Sequence, residues 1–273
     1  MSARRRPELW GVVNTTPDSF SDGGFFQEAD AAIRQGLALV EQGASVIDVG
    51  GESTRPGAHR VTPEEEEKRV IPVVRALAVA GVVVSVDTMR ASTARKAVDA
   101  GARIVNDVSG GLADPDMFSV AAEAAVDYVL MHWRGHSDTM DSLAHYDDVV
   151  SDVAHEIRVR LEEASQAGID PSRLLVDPGL GFAKTPEHNW SLLSHLDDLV
   201  PSGTRMVVGA SRKRFLGELL PGEHKPAERD GASAALGVLL AEAGVFALRV
   251  HNVKAHREAL DVWQAFHEGG PRE

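Results

Sequence analysis

Eight short apolar runs recur along the chain, at residues 9–14, 46–50, 82–87, 104–108, 128–132, 174–178, 206–210 and 247–250. Most are rich in Val, Ile or Leu and lack a strict alternation of apolar and polar positions. That pattern belongs to parallel strands covered on both faces. Between the runs lie segments of helical period. Ala31, Ala32, Ile33, Gly36, Leu37 and Val40 fit one helix face, and Val149, Val150, Val153, Ile157 and Leu161 fit another. Thr62-Pro63-Glu64-Glu65 marks a helix start with a cap, a first-turn proline and acids near the positive end of the dipole, and Thr185-Pro186-Glu187 repeats the device. The consecutive acids Glu64, Glu65, Glu66 and Glu67 read as a solvated first turn, because neighbours in a row cannot converge on one ion.

Strand and helix alternate eight times without a composition break. This predicts an α/β protein of one domain, a (β/α)8 TIM barrel over residues 9–267. Residues 1–8 read as a solvated N-terminal tail and 268–273 as a C-terminal tail. The alternative fold, a doubly wound open sheet, would be favoured by a Gly-x-Gly-x-x-Gly turn after the first strand, and there is none. At 273 residues, 43% of them hydrophobic, the chain can fill one large core. Its net charge of −13 argues against a nucleic-acid or anionic-membrane partner. No run approaches the roughly 18 apolar residues of a membrane helix. The sequence has no cysteine, which excludes disulfides and thiolate metal sites and fits a cytoplasmic location. No apolar stretch of signal-peptide kind follows Arg4-Arg5-Arg6.

In such a barrel the chemistry belongs to the loops that follow the strands. The strand starts are apolar, and the strand ends carry polar groups. Leu174-Leu175-Val176 stops on Asp177, with Pro178 and Gly179 preventing regular continuation. Strand 1 delivers Asn14, strand 3 Asp87, strand 4 Asn106 and Asp107, and strand 5 Met131 and His132. Strand 7 runs into Ser211-Arg212-Lys213-Arg214, and strand 8 carries Arg249 and His251. Two carboxylates, an amide and a lysine suit the edge of a flat heterocycle: Asp accepts from ring N–H groups, Asn does both, Lys donates. Met131, Phe182 and Arg249 could pack on its faces. Asn14, Arg55, Arg249 and His251 form an anion-seeking set suited to phosphate or diphosphate. Ser211 falls where the helix after strand 7 should begin, and a helix N-terminus there would hold a second anion such as a carboxylate. Asp48 reads as a structural acid inside the barrel, and Asp107 as the group that orients its own loop. His132 reads equally well as a hydrogen-bonded structural histidine or a ligand, whereas His136, His145, His188 and His195 read as surface residues without metal-ligand spacing.

The same residues carry a family resemblance. Asn14-Thr15-Thr16-Pro17-Asp18-Ser19-Phe20-Ser21-Asp22-Gly23-Gly24 resembles the first signature of dihydropteroate synthases, and Gly50-Gly51-Glu52-Ser53-Thr54-Arg55-Pro56-Gly57 the second. Asp87-Thr88, Asn106-Asp107-Val108-Ser109-Gly110, Asp177-Pro178-Gly179-Leu180-Gly181-Phe182, Ser211-Arg212-Lys213 and Arg249-Val250-His251 follow in the family's order. The resemblance implies a folate-pathway transferase. It would join p-aminobenzoate to 6-hydroxymethyl-7,8-dihydropterin diphosphate, with sulfonamides competing for the p-aminobenzoate site. It implies that Asp87, Asn106, Asp177 and Lys213 hold the pterin edge and that Met131, Phe182 and Arg249 pack against the ring. Asn14, Arg55, Arg249 and His251 would hold the diphosphate, with Mg²⁺ bound by Asn14 and substrate oxygens. Phe20, Ser53, Thr54, Pro56, Ser211 and Arg214 would serve p-aminobenzoate. Asp22 would stabilise charge on the pterin methylene, and Asp22, Arg55, Lys213, Arg249 and His251 would be the catalytic groups. A homodimer formed through the later helices is implied as well.

Three positions depart from the family's pattern. Arg214 stands where a serine is common, Asn252 where Asp is usual, and Thr15 where the residue is more often apolar. Three rival readings are weaker. A pterin-binding methyltransferase barrel and a silent pterin-binding paralogue should both lack the two long loop signatures. A sugar-phosphate barrel enzyme should carry Gly-rich phosphate loops after strands 7 and 8.

Overall fold

The computed structural model describes residues 5–15, 25–52, 60–136 and 139–270. The eight apolar runs form eight parallel strands: β1 (Glu8–Asn14), β2 (Val46–Gly50), β3 (Val84–Asp87), β4 (Ile104–Asp107), β5 (Asp127–Met131), β6 (Leu174–Asp177), β7 (Arg205–Val208) and β8 (Ala247–Val250). They close in sequence order into one barrel, with β8 paired to β1. An open sheet is thereby excluded. The helices are α1 (Phe25–Glu41), α2 (Pro63–Val79), α3 (Ala91–Asp99), α4 (Met117–Ala124), α5 (Val149–Gln166), α6 (Pro186–Ser194), α7 (Leu196–Leu199), α8 (Arg214–Gly217), α9 (Asp230–Glu242) and α10 (Val253–Glu268). No helix among the described residues is long and apolar enough to cross a membrane.

Two apolar layers explain why the strands do not alternate. Residues facing the helices, among them Ile47, Val49, Val86, Tyr128, Leu130, Val176 and Leu248, belong to the large outer core. Trp10, Val46, Ile104, Val129, Leu175, Val207 and Ala247 form a separate cluster inside the barrel. Two residues further along β2, β4, β6 and β8 the inward side chains turn polar, as Asp48, Asn106, Asp177 and Arg249. A period of two thus carries each strand from an apolar plug to a polar mouth.

The helix caps at Thr62 and Thr185 form, each hydroxyl accepting from a first-turn backbone N–H. Three expectations need correction. The first concerns Glu66, which is 1% exposed. It leaves the solvated turn expected of its neighbours because Thr88 Oγ1 (2.7 Å), Arg90 Nη1 (2.5 Å) and Thr93 Oγ1 (3.1 Å) all donate to it. On α1 the buried positions among residues 28–41 are Ala32, Gly36 and Leu39, while Leu37 and Val40 are exposed. A face read from apolar residues alone was rotated, because the small Gly36 packs closely where Leu77 fills the space beside it. Finally, Arg6 and Pro7, just before β1, are anchored rather than solvated. Pro7 is buried, and Arg6 donates to Asp261 (2.5 Å) and Gln264 (3.3 Å) on α10.

Candidate active site

Strand register sets the polar mouth. Gly50 pairs with Asp87, Asp87 with Asn106, Asn106 with Val129, and Met131 with Asp177, so the strand-end groups of β3, β4 and β6 gather at the same end of the barrel. Arg249 reaches across from β8. Its Nε donates to Asp48 Oδ2 (2.5 Å) and its Nη2 to Asp87 Oδ2 (2.6 Å). The same Asp48 oxygen accepts from Asn106 Nδ2 (3.1 Å). Asp48 is the interior structural acid its position suggested, and it also fixes two site residues.

Asp177 is buried, and backbone groups satisfy it: Gly179 N–H donates to Oδ1 (2.7 Å) and Gly209 N–H to Oδ2 (3.1 Å). Burial raises its pKa, against those two N–H groups and the charges of Lys213 and Arg249. Burial also lifts Asp87 to about 7, although Arg249 pulls it down. The Lys213 ammonium is brought down to about 8 by burial, with Asp177 and Asp87 opposing the shift. Its Nζ lies 4.0 Å from the centre of the Phe182 ring. Met131 packs with Met89 and Val108, and Phe182 lies against that cluster. The cavity mouth therefore has an acid–amide edge, a lysine and an apolar wall.

Asn14 closes β1. His251 follows β8. Its backbone N–H donates to Ser211 Oγ (3.2 Å), and its Nδ1 lies 3.1 Å from the same oxygen. The helix expected to begin at Ser211 begins instead at Arg214 and makes a single turn, so no helix terminus is offered to an anion at Ser211. What holds this loop is Arg212, in left-handed conformation (φ 63°), whose guanidinium donates twice to Asp230 at the start of α9 (2.6 and 2.9 Å). Asn252 donates to the same carboxylate (2.9 Å) and caps α10 through Ala255 N–H (3.0 Å). An aspartate at 252 would keep the cap and lose the donor. Arg214 is exposed. Thr15 is buried, with its hydroxyl donating to Gly50 O (3.0 Å). Asp107 orients its own loop as expected, accepting from Ser109 N–H, Gly111 N–H and Tyr128 O–H (2.8, 2.7 and 2.6 Å). Phe20, Asp22, Ser53, Thr54, Arg55 and Pro56 lie outside the described residues.

Sequence reasoning missed a set of groups behind Asp177. Lys184 is half-buried beside His132, behind which stand Glu156 and Arg134, and no local sequence feature distinguishes it from a solvated loop lysine. Glu52 was missed too. It receives Arg90 (2.8 Å), Arg60 (3.1 Å) and Val61 N–H (3.2 Å), tying the two ends of the loop after β2 together.

Among the described residues no three His, Cys, Asp or Glu side chains converge as a cation cage. Asn14 offers one neutral oxygen at the barrel mouth. That donor set fits a magnesium ion whose remaining ligands are phosphate oxygens and water.

Comparison with known proteins gives a consistent result. A family model described as pterin binding enzyme matches residues 10–251. The chain is 50% identical over 270 residues to the dihydropteroate synthase of Mycobacterium leprae, covering 97% of this chain and 95% of that protein. It is similar to the solved dihydropteroate synthase of Xanthomonas albilineans with 4-aminobenzoic acid, with a TM-score of 0.89 and 46% identity over 96% of this chain and 93% of that one. The Yersinia pestis dihydropteroate synthase with a sulfonamide drug complex gives a TM-score of 0.89 and 39% identity, covering 96% and 95%.

Proposed function

The chain belongs to the pterin binding enzyme family, and from that membership we propose how its residues divide the work of a dihydropteroate synthase. The enzyme is a transferase of folate synthesis and a sulfonamide target. It condenses 6-hydroxymethyl-7,8-dihydropterin diphosphate with p-aminobenzoate, giving 7,8-dihydropteroate and diphosphate. The observation that carries the division of labour is the gathering of Asp87, Asn106 and Asp177 at the strand ends, with the charges of Asp177 and Asp87 both bearing on the Lys213 ammonium.

Asp87, Asn106 and Asp177 take the donor edge of the pterin, and Lys213 donates to a ring acceptor. Leaving any of these buried groups unpaired would penalise a ring of different pattern. Met131, Phe182 and the Arg249 guanidinium pack the faces. Asn14, Arg249 and His251 face the diphosphate side, and Arg55 joins them on the strength of its sequence motif. Magnesium, when bound, would be held by Asn14 and diphosphate oxygens and would neutralise charge on the leaving group. The assignments of Phe20, Ser53, Thr54, Pro56, Ser211 and Arg214 to p-aminobenzoate, and of Asp22 to charge on the methylene, rest on the sequence signatures.

The chemistry needs little else. The aniline nitrogen is already unprotonated at neutral pH and attacks the methylene carbon. The C–O bond to diphosphate breaks, and the extra N–H proton leaves to diphosphate or water. No side-chain nucleophile is required; the residues orient the pterin and stabilise charge. Two copies associate through α9 and α10, supported by the exposure of Leu239, Val262 and Phe266 there. The reaction runs in the cytoplasm, a reading supported by the cysteine-free composition.

The test is an assay of purified protein with dihydropterin diphosphate, labelled p-aminobenzoate and Mg²⁺, following both products. Equal formation of dihydropteroate and diphosphate, inhibited by a sulfonamide, is expected. A pterin bound without turnover would instead identify a silent paralogue.

A further inference from the structure

We propose that Lys184 is a positioning residue for the pterin pocket: it fixes the loop after β6, and with it the Phe182 ring, while His132, Glu156 and Arg134 hold Lys184 in place. This rests on the reading of the site given above.

The loop after Asp177 turns through three left-handed residues, Gly179 (φ 67°), Gly181 (φ 74°) and Ala183 (φ 47°). A Cβ on Gly179 would stand 2.2 Å from His132 O, so only glycine lets the loop pass β5 this closely. Such a path leaves carbonyls turned away from any regular ladder, and they must be satisfied inside the protein. Lys184 does this from within the turn. Its Nζ donates to Gly179 O (3.0 Å) and Phe182 O (3.1 Å) and lies 2.8 Å from His132 Nδ1. An ammonium has three N–H groups, and each meets one acceptor. The third acceptor requires a neutral His132 with its proton on Nε2, donated to Glu156 Oε2 (2.9 Å). Burial keeps His132 neutral, lowering its pKa to about 4. Glu156 is in turn paired with Arg134, which also donates to His145 O and lies 3.8 Å over the Tyr146 ring. Tyr146 closes the circuit by donating to Ala183 O (3.0 Å).

Gly179 is thus pinned twice, its N–H by Asp177 and its carbonyl by Lys184. What the loop carries forward is Phe182, beneath Lys213. Loss of Lys184 should loosen the pterin side of the pocket and spare the p-aminobenzoate side. A merely structural role would not discriminate between the two substrates.

The experiment uses the full chain and the Lys184→Met variant, which keeps the length of the side chain and removes all three donors. Binding of 6-hydroxymethylpterin is measured by calorimetry, and KM for each substrate by steady-state kinetics. Expected are a loss of pterin affinity of tenfold or more, a matching rise in KM for the pterin diphosphate, and a KM for p-aminobenzoate within threefold of the native value. Pterin affinity within threefold of native, or an equal rise in both KM values, overturns the proposal. Should Lys184→Met not fold, Glu156→Gln decides. It keeps a hydrogen bond to His132 and removes the charge behind it, and a pterin-selective loss of threefold or more is expected; unchanged affinity overturns the proposal. Failure of the native chain itself to bind the pterin would instead reject the underlying reading of the site.

Discussion

Asp87 has to be a carboxylate to receive N–H donors, and its surroundings resist that. Burial raises its pKa to about 7; Arg249 opposes the shift, while Asp48, Glu66 and Asp107 add to it. A ligand that donates to Asp87 binds the ionised form, so binding favours loss of the proton. As pH falls through 7 the protonated form grows, and pterin affinity should fall about tenfold per pH unit well below that point. The pKa of Asp87 in the free protein sets the midpoint of this acid limb. Calorimetry with 6-hydroxymethylpterin between pH 5.5 and 7.5 would measure it. In Asp87→Asn the affinity at pH 7.5 should be lower and the slope below 7 nearly flat. A slope that persisted unchanged in the variant would remove Asp87 as its cause. Asp87, Asn106 and Asp177 were legible in the sequence because each breaks an apolar run at the same point of a repeating unit. Lys184 was not, because its acceptors are two carbonyls and a histidine 52 positions upstream, a meeting that only barrel closure creates.

Helix α2 carries the clearest difference between two adjacent residues. Glu66 sits at a buried node where Thr88, Thr93 and Arg90 all donate to it, and Arg90 continues to Glu52. Glu67, the next residue, pairs with Lys96, whose side chain is 56% exposed. Removing one partner of a buried ion pair costs about 3–5 kcal/mol, whereas an exposed pair contributes at most about 1 kcal/mol. Glu66→Ala should therefore lower stability in urea denaturation by several kcal/mol and Glu67→Ala by less than 1. Equal losses would show that the node is not what secures the helix. The distinction was invisible in a run of four glutamates. Only Glu64 is exposed in the first turn as the dipole argument requires; Glu65 and Glu67 are half-buried, and Glu66 is the one whose helical angle faces the segment after β3. Element order and strand ends follow from local pattern. Which face of a helix meets the barrel follows from packing, as the displaced face of α1 also demonstrates: Ala32, Gly36 and Leu39 are buried there, and the larger Leu37 and Val40 are not.

At the scale of the whole molecule, α10 turns one face inward through Val253, His256, Leu260 and Trp263, and Trp263 Nε1 donates to Glu242 on α9 (2.9 Å). The outer side of α10 carries exposed apolar residues among charged ones such as Lys254 and Glu258. Val262 and Phe266, one helical turn apart, are 72% and 80% exposed, and Leu239 on α9 is 63% exposed. Single exposed apolar residues are ordinary, but three on neighbouring helices of a chain with net charge −13 form a patch whose burial a second copy would supply. Charge opposes that association, since each copy repels the other. Salt screens the repulsion at a Debye length of about 8 Å near physiological ionic strength. Two copies should therefore bind more tightly as salt is raised from about 10 to 150 mM, the reverse of an interface made by opposite charges. Light scattering at tens of micromolar should give twice the 29.2 kDa chain mass, and Phe266→Glu should shift the species to one chain. Because the patch lies on the outer helices and the acid–amide ring inside the mouth, the variant should keep native affinity for 6-hydroxymethylpterin. A native chain that stayed at 29.2 kDa under these conditions would reject the dimer, and a Phe266→Glu dimer as tight as the native one would move its interface elsewhere.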